Sequence, residues 1–385
     1  MASRRKVALI YKYNENWIGG TYYIQNLISA LDVVPDESKP HLVILCEQEA
    51  EYNSLVSLTG YPYIERRNIW KQLNTPVKAI NKLSRRIFDR NIINPYSMSK
   101  DLDLVVLQEV LDGAFKTNQK LLYWIPDFQD RYLPEFFTSE DLNYLKRIQR
   151  RIVDTASYIV FSSYVTQEDF DKFYPNHTLK SYVMQFAVTH PKSALAKRSE
   201  LLTKYNLPDQ YYICSNQFWR HKNHKTVLEA IAVLKQRGIT VTIAFTGKEH
   251  DSRYPGYFEE LQAKALELNV VENIKFLGFI SREDQLALMK HSVAVIQPSL
   301  FEGWSTVVED AKSLNVPIIC SDLDVHKEQL EVYEAKRFFS TLTGAPDLAE
   351  AINNHPIPSE KIYDYGQNIL EYGNSLVKII NNVLN

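Results

Sequence analysis

Two segments of the chain carry residue types that bind phosphate, and one of them is residues 215–224. This segment reads Ser-Asn-Gln-Phe-Trp-Arg-His-Lys-Asn-His and places Arg220 and Lys222 between a predicted strand and a predicted helix. Guanidinium and ammonium groups donate charge-assisted hydrogen bonds to phosphates and stabilise charge on a departing diphosphate. A solvated loop is the alternative, above all for Arg220 and His221. A metal site at His221 and His224 lacks an obvious third ligand nearby.

The second segment, residues 298–309, runs from a strand end through a glycine-containing loop into a helix. The helix cap is Ser305 or Thr306, and the unsatisfied N–H groups of a helix start suit a phosphate. Glu309 lies one turn further on the same side as Ser305, where its carboxylate could accept hydrogen bonds from a ribose diol. Glu302 then lies on the loop beside the phosphate. Alternatively, Glu309 only complements the helix dipole and Glu302 is solvated.

Two weaker patterns accompany these segments. Gly19 and Gly20 form the first strand-to-helix turn, where the backbone could approach a ligand closely, although a tight turn without a ligand gives the same pattern. Residues 101–103 and 322–324 both read Asp-Leu-Asp, a spacing that can bind a metal. Neither has the sequence context of a metal-bound nucleotide, so we expect no obligatory metal.

Short apolar strands alternate with helical patterns, which predicts parallel sheets with ligand loops at the strands' carboxyl ends. In the first half we predict strands at residues 7–11, 41–46, 104–107, 120–125, 159–162 and 182–186, with a helix from residue 19. In the second half we predict strands at 211–215, 240–246, 274–277, 293–297 and 317–321, and helices at 227–235, 257–268, 283–291 and 305–314. The pattern predicts an α/β fold of two Rossmann-like domains.

We place the domain boundary near Val188, just before a hydrophilic stretch at residues 190–207. The predicted domains are 1–188 and 189–362. The last segment, 363–385, is predicted to form a helix that returns to the first domain.

Composition agrees with a two-domain globular protein. The 385 residues exceed what one core usually supports, and 45% are apolar. A net charge of −2 gives no electrostatic reason to expect nucleic acid as a partner. Three cysteines lie singly in apolar runs, which favours buried free thiols in a reducing compartment. The first apolar run is too short for a signal peptide, so we expect a cytoplasmic protein.

Residues 66–90 carry Lys or Arg at eight positions, with apolar residues at helical spacing. Val77, Ile80, Leu83 and Ile87 are the apolar positions. Such a basic amphipathic helix can lie on anionic lipid heads as a peripheral membrane contact. The alternative is a solvated helix whose apolar positions pack on its own domain.

The two phosphate-binding segments resemble the family-4 retaining glycosyltransferases of the GT-B fold. The resemblance is carried by residues 216–224, residues 301–309 and the following Pro-Ile-Ile-Cys-Ser-Asp at 317–322. It extends to Trp-Ile-Pro-Asp-Phe-Gln at 124–129 and Tyr-Leu-Pro-Glu-Phe-Phe at 132–137. The similarity covers essentially the whole chain and is strongest from residue 211 to residue 329.

The resemblance implies retaining, metal-independent, hexosyltransferase-type transfer from a nucleotide-sugar to a glycan or glycolipid acceptor. Lys222 matches the family's diphosphate lysine, and Glu302 matches the glutamate beside the donor sugar. The remaining implied donor contacts are Gly278 and Phe279 at the nucleobase loop, Gly303, Trp304, Ser305 and Thr306 at the helix start, and Glu309 at the ribose. Gly20, in the first strand-to-helix turn, is a further candidate donor contact. Arg220 is a further candidate catalytic cation, and Asp127 lies on the acceptor side.

Three departures from the family pattern keep a rival function open. Six residues separate Glu302 from Glu309, where seven are more common, and the Gly-Arg before the lysine is absent. Pro126 stands before Asp127, where many members have histidine. A nucleotide-sugar-binding scaffold without transfer activity is therefore the first alternative. A dinucleotide-dependent oxidoreductase is disfavoured, because no Gly-x-Gly-x-x-Gly follows the first strand.

Overall fold

The computed structural model describes residues 4–385 except 15–17, 89–90, 98–100, 108–110, 112–113, 116–118, 191–194 and 252, and in helix α3 it describes side chains only to Arg85. Within this part of the chain, two parallel sheets of seven and six strands are each covered by helices. The predicted α/β class with two Rossmann-like domains is therefore confirmed.

The first sheet is built from the strands between residues 6 and 183. Its strands are β1 (Lys6–Ile10), β2 (His41–Leu45), β3 (Ile64–Arg67), β4 (Leu104–Leu107), β5 (Lys120–Trp124), β6 (Tyr158–Phe161) and β7 (Lys180–Val183). The helices around it are α1 (Ile18–Asp32), α2 (Glu49–Thr59), α3 (Thr75–Phe88), α4 (Gln129–Tyr132), α5 (Ser139–Thr155) and α6 (Tyr164–Phe173). The strand order is β3-β2-β1-β4-β5-β6-β7.

The second sheet repeats this order as β10-β9-β8-β11-β12-β13. Its strands are β8 (Tyr212–Ser215), β9 (Ile243–Thr246), β10 (Ile274–Phe276), β11 (Val295–Gln297), β12 (Ile318–Ser321) and β13 (Lys336–Phe339). The later helices are α7 (Arg198–Tyr205), α8 (His224–Gln236), α9 (Tyr257–Glu267), α10 (Arg282–His291), α11 (Thr306–Ser313), α12 (Asp324–Gln329), α13 (Ala345–Asn353) and α14 (Gly366–Leu384).

Both sheets reverse their strand order beside their first strand, between β1 and β4 and between β8 and β11. A doubly wound sheet opens a crevice at such a point, outside the carboxyl ends of its strands. The loops after β1, β8 and β11 therefore lie where a ligand would bind.

Some elements differ from the sequence prediction. Arg66 and Arg67 belong to edge strand β3, so the basic stretch becomes helical only at Thr75. An edge strand tolerates charged residues because one side is unpaired, and this hides it from a search for apolar runs. The hydrophilic stretch that we read as a linker contains α7, which buries Leu201.

The last helix, α14, packs against α1 of the first domain, as predicted. The Tyr372 hydroxyl donates a hydrogen bond to the Tyr23 carbonyl at 3.3 Å. A Cβ on Gly373 would lie 2.4 Å from the carbonyl oxygen of Ala30, so only glycine permits this approach. The chain therefore crosses between the domains twice, before β8 and before α14.

The three cysteines are buried free thiols, as predicted. Among the described helices, none is both long enough and apolar enough to cross a bilayer.

Candidate functional site

A cleft between the two domains is lined by loops from both sheets. The first domain contributes the start of α1 and the loop after β5, and the second contributes the loops after β8, β10 and β11. Nine of the predicted site residues line it: Gly20, Asp127, Lys222, Phe279, Glu302, Gly303, Trp304, Ser305 and Thr306. The cleft therefore unites most of the residues chosen for their chemistry.

The two phosphate-binding segments are hydrogen-bonded to each other. The side-chain amide of Asn223 donates to the Pro298 carbonyl at 3.1 Å, and the Leu300 amide donates to the His221 carbonyl at 2.8 Å. Asn223 itself has a left-handed backbone, with φ of +55°, which turns the chain from the first segment into α8. Segments about 80 residues apart in sequence thus form one surface.

The Lys222 ammonium forms an ion pair with Glu302 at the centre of this surface. Its Nζ atom lies 2.6 Å from Glu302 Oε1, which also accepts hydrogen bonds from Gln297 Nε2 at 2.7 Å and Ser299 Oγ at 2.6 Å. Both charged side chains are largely withdrawn from solvent. A buried carboxylate is stable only when donors surround it, and here three donors hold it in place.

Helix α11 directs its N-terminus at the same place. Ser305 is its N-cap, and its hydroxyl accepts a 3.4 Å hydrogen bond from the Val308 amide. The amides at the helix start carry a partial positive charge. Together with Lys222, they can stabilise an anion such as a diphosphate.

Gly303 lies directly against the first domain in the cleft. A Cβ there would lie 2.2 Å from the Pro126 carbonyl oxygen and 2.7 Å from Asp127 Cβ. The neighbouring Trp304 indole donates a 3.0 Å hydrogen bond to the Phe186 carbonyl in the first interdomain crossover. The loop after β11 is thus held against the first domain on both sides of Gly303.

Asp127 faces the cleft from the first domain in an unfavourable place for a negative charge. Desolvation raises its pKa to about 6, with a further contribution from the charges of Glu302 and Asp130. A hydrogen bond from the Gln129 amide at 3.0 Å and the positive charge of Lys222 oppose this shift. The carboxyl group therefore changes charge near neutral pH.

Glu309 does not line the cleft, contrary to the sequence prediction of a ribose contact. Its carboxylate is buried and accepts hydrogen bonds from Lys312, Gln329 and Tyr365. Asp310 lines the cleft instead. Successive residues point about 100° apart around a helix, so the two acids cannot share a face.

Asp310 is held by Arg282 in a two-pronged ion pair. The two carboxylate oxygens accept hydrogen bonds from the guanidinium at 2.5 and 2.7 Å, and the guanidinium lies 5.0 Å from the Tyr22 ring centre of the first domain. Asp310 is also buried from solvent, but a carboxylate has about four acceptor positions and Arg282 occupies two of them. Sequence reasoning missed Asp310, although seven residues separate it from Glu302, as in the commoner family spacing.

Two other predicted residues also lie outside the cleft lining. Arg220 packs between the rings of Phe136 and Tyr254, at 4.7 and 4.5 Å from their centres. Gly278 has a left-handed φ of +67°, and its carbonyl accepts hydrogen bonds from the loop after β9. The prediction that Arg220 contacts the reacting groups is not supported by this position.

The metal alternatives find no support in the described residues. His221 Nδ1 lies 3.4 Å from an Arg253 guanidinium nitrogen, and burial lowers the pKa of His221 well below its usual range. The His224 ring stacks on Phe218 with 4.6 Å between centroids. No group of three or more His, Cys, Asp or Glu residues converges within the described ranges.

The two Asp-x-Asp segments are bonded to other protein groups. Asp101 forms ion pairs with Lys6 and Arg67, and Asp103 accepts the Lys6 amide at 2.7 Å. In the second segment, Asp322 accepts the Thr341 amide at 3.2 Å and Asp324 pairs with Lys327 at 3.0 Å.

Comparison with known proteins finds a family similarity within the second domain. Residues 199–355 match the family model of the glycosyl transferases group 1. The putative glycosyltransferase EpsF of Bacillus subtilis is 33% identical over 106 residues, which are 28% of this chain and 26% of that protein. The O-antigen chain mannosyltransferase RfbU of Salmonella typhimurium is 22% identical over 54% of this chain and 53% of that protein. The matches span about a quarter to about half of these relatives.

Solved structures share the whole two-domain fold. HepE of Anabaena, crystallised with UDP and glucose, aligns with a TM-score of 0.60 at 15% identity, over 99% of this chain and 96% of that one. WaaG, a glycosyltransferase involved in lipopolysaccharide biosynthesis, aligns with a TM-score of 0.60 at 13% identity, over 98% and 99% of the two chains. The fold is GT-B.

The raised pKa of Asp127 predicts how pH affects the Asp127→Asn variant. Because the folded-state pKa of about 6 exceeds that of the unfolded chain, Asp127 favours folding most at low pH, and this contribution is lost as pH rises through 6. Asparagine avoids the charge and can still accept the Gln129 amide. The variant should therefore match wild type near pH 4 and melt at a higher temperature above pH 6, by scanning calorimetry. A difference independent of pH would contradict the assigned shift.

Proposed function

We propose, from the group 1 glycosyl transferase segment at residues 199–355, that the chain transfers a sugar from a nucleotide-sugar to a hydroxyl acceptor, with retention of configuration. The carrying observation is the convergence of Lys222, Glu302 and the N-terminus of α11 in one interdomain cleft. A cation and a helix start together provide what a diphosphate leaving group requires.

The proposed reaction breaks the bond between the donor sugar's anomeric carbon and the diphosphate oxygen. The bonding electron pair leaves on that oxygen, whose growing negative charge is stabilised by Lys222 and the Thr306 amide at the start of α11. The acceptor hydroxyl attacks the anomeric carbon from the side that the diphosphate leaves, and its proton passes to the leaving phosphate. This route needs no nucleophile from the protein.

The remaining cleft residues supply binding in this proposal. Asp310 takes the ribose position first predicted for Glu309, and Phe279, which is 54% exposed, offers a ring face beside the nucleobase. Glu302 orients Lys222 beside the donor sugar. Asp127 is assigned to the acceptor hydroxyl, which the Asp127→Asn variant tests through the acceptor KM.

The acceptor is proposed to be a glycan or glycolipid of cell-surface polysaccharide synthesis. The names of RfbU and WaaG place those relatives in O-antigen and lipopolysaccharide synthesis, which supports the proposal for this chain. We further propose that no metal is obligatory, because Lys222 and the helix amides can supply the positive charge that a metal would otherwise bring to the diphosphate.

The binding part of the proposal predicts a thermal shift with one member of a panel of UDP-, GDP-, ADP- and CDP-linked sugars. Asp310→Asn should weaken binding of that donor by about 1–3 kcal/mol in calorimetry, because hydrogen bonds to a charged group are lost. Asp324→Asn, at an exposed carboxylate paired with Lys327 away from the cleft lining, is the control for losing one negative charge. Equal affinities in both variants would remove Asp310 from the donor site.

The catalytic part predicts that Lys222→Ala lowers kcat by about 10²–10³, with a smaller change in donor affinity, because the diphosphate gains charge as the bond breaks. Lys225→Ala, at an exposed lysine three residues later, is the control.

Turnover is measured as donor hydrolysis and as sugar transfer, both in buffer that contains EDTA. A rise in KM alone would make Lys222 only a binding contact, and binding without wild-type turnover would favour the scaffold alternative. Activity that EDTA abolishes and manganese restores would refute metal independence.

Helix α3 supports a second proposal, a peripheral contact with an anionic membrane on its cytoplasmic face. Its inward side is polar: Asn81 and Ser84 are buried and bond to the backbone of Ile93 and Ile92. Ile80 is 46% exposed and Leu83 is 58% exposed. Helices normally bury the apolar side, but Ile80 and Leu83 do not pack on their own domain, whereas Val77 is half-buried.

The cations of α3 lie beside the same apolar residues. Lys78, Lys82 and Arg85 are exposed, whereas Arg86, Ile87 and Arg90 lie outside the described side chains. An apolar strip flanked by cations suits lipid chains and anionic headgroups respectively. We define the α3 surface as Lys78, Ile80, Lys82, Leu83 and Arg85.

The proposal predicts that binding to phosphatidylglycerol vesicles rises with anionic lipid content and falls as salt screens the charges. Replacing Lys78, Lys82 and Arg85 with Glu should abolish vesicle sedimentation while the protein stays folded. The control replaces exposed Arg150, Lys225 and Lys327 with Glu, which makes the same change in net charge elsewhere. Equal loss in both variants, or no wild-type binding at low salt, would leave α3 as a solvated helix.

A further inference from the structure

Glu309 is a buried carboxylate with a complete set of donors. Lys312 Nζ at 3.0 Å and Gln329 Nε2 at 2.8 Å donate to its Oε1 atom, and the Tyr365 hydroxyl at 2.5 Å donates to Oε2. Only 1% of the residue is exposed. Because an unpaired charge there would be very costly, the three donors are required by the position of the carboxylate.

Tyr365 connects this carboxylate to both crossovers between the domains. It directly precedes α14, which returns to the first domain, and its hydroxyl accepts a 2.9 Å hydrogen bond from the Val188 amide in the first crossover. Burial, with the nearby negative charge of Glu309, raises the pKa of Tyr365 well above its usual range. The hydroxyl therefore keeps its proton and can donate to Glu309 while it accepts from Val188.

Gln329 connects Glu309 to the cleft. Its side-chain oxygen accepts the Ser305 amide at 3.2 Å, and its Nε2 atom donates to the Ser305 carbonyl at 2.8 Å. Ser305 is the N-cap of α11 and lines the cleft. A buried chain of hydrogen bonds thus runs from Val188 through Tyr365, Glu309 and Gln329 to the backbone of the helix start.

We propose that Glu309, Gln329 and Tyr365 are positioning residues that couple both interdomain crossovers to the helix start at Ser305. A rotation between the domains must be absorbed where the chain crosses, so Val188 and Tyr365 move with it. A fully satisfied buried network resists the loss of any one member. The orientation of the first domain therefore sets the position of the start of α11 at Ser305, which deepens the proposed role of this helix start in diphosphate binding.

The test uses Tyr365→Phe, which removes only the hydroxyl and leaves Glu309 Oε2 and the Val188 amide without their shared partner. Amide hydrogen exchange is followed in peptides covering residues 184–190 and 300–308, without ligand. Tyr211→Phe is the control, because its buried hydroxyl donates to the Leu288 carbonyl at 2.8 Å, outside the network. Glu309→Gln, close in shape to the wild-type side chain, is the second variant in case Tyr365→Phe does not fold.

Coupling predicts that exchange in both peptides rises about tenfold in Tyr365→Phe, as expected for one lost hydrogen bond, and stays unchanged in Tyr211→Phe. Affinity for UDP, with GDP measured alongside, should fall about fivefold or more, the lower range for coupled sites. Faster exchange at 184–190 with unchanged exchange at 300–308 would overturn the coupling. Because the exchange measurement needs no ligand, it decides the coupling even if the proposed transfer activity fails.

Discussion

The close approach of Gly303 to the loop after β5 is the constraint on which the cleft depends. A Cβ there would lie 2.2 Å from the Pro126 carbonyl oxygen, so any side chain would force the domains apart. With glycine, the loop after β11 reaches the first domain and brings Glu302 beside Asp127, close enough to raise the pKa of that aspartate. Lys222 therefore lines a cleft that is formed by both domains.

Glu309 and Asp310 are adjacent acids on α11, and their side chains have different partners because successive residues point in different directions around a helix. Glu309 faces inward and joins the crossovers, whereas Asp310 faces the cleft and pairs with Arg282. Both carboxylates need donors, since burial penalises an unpaired charge. Glu309 accepts hydrogen bonds from residues of α11, α12 and the second crossover. Asp310 accepts hydrogen bonds from Arg282 of α10. The same short helix thus carries a carboxylate in a buried hydrogen-bond network and the carboxylate that we propose as the donor contact.

The burial of polar and apolar side chains in helix α3 is the reverse of that in the rest of the fold. Elsewhere apolar residues fill the sheet faces, but here Asn81 and Ser84 point inward and Leu83 points to solvent. The inward amide and hydroxyl are satisfied by backbone groups of the following loop, so their burial costs little. Ile80 and Leu83 remain exposed beside cations, which is the basis of the proposed contact with an anionic membrane.

The sequence by itself predicted the α/β alternation, most strands, a helix cap at Ser305 or Thr306 and a phosphate site at Lys222 and Glu302. These follow from apolar periodicity, glycine and proline positions and capping chemistry, which act over a few residues. Edge strand β3 was missed because its side chains are mostly polar. Only the tertiary structure decided that Asp310 rather than Glu309 meets the cleft, that Arg220 packs between two rings and that α3 exposes its apolar side. The reason is that a side chain's exposure depends on partners far away in sequence: Tyr365, which covers Glu309, lies 56 residues from it.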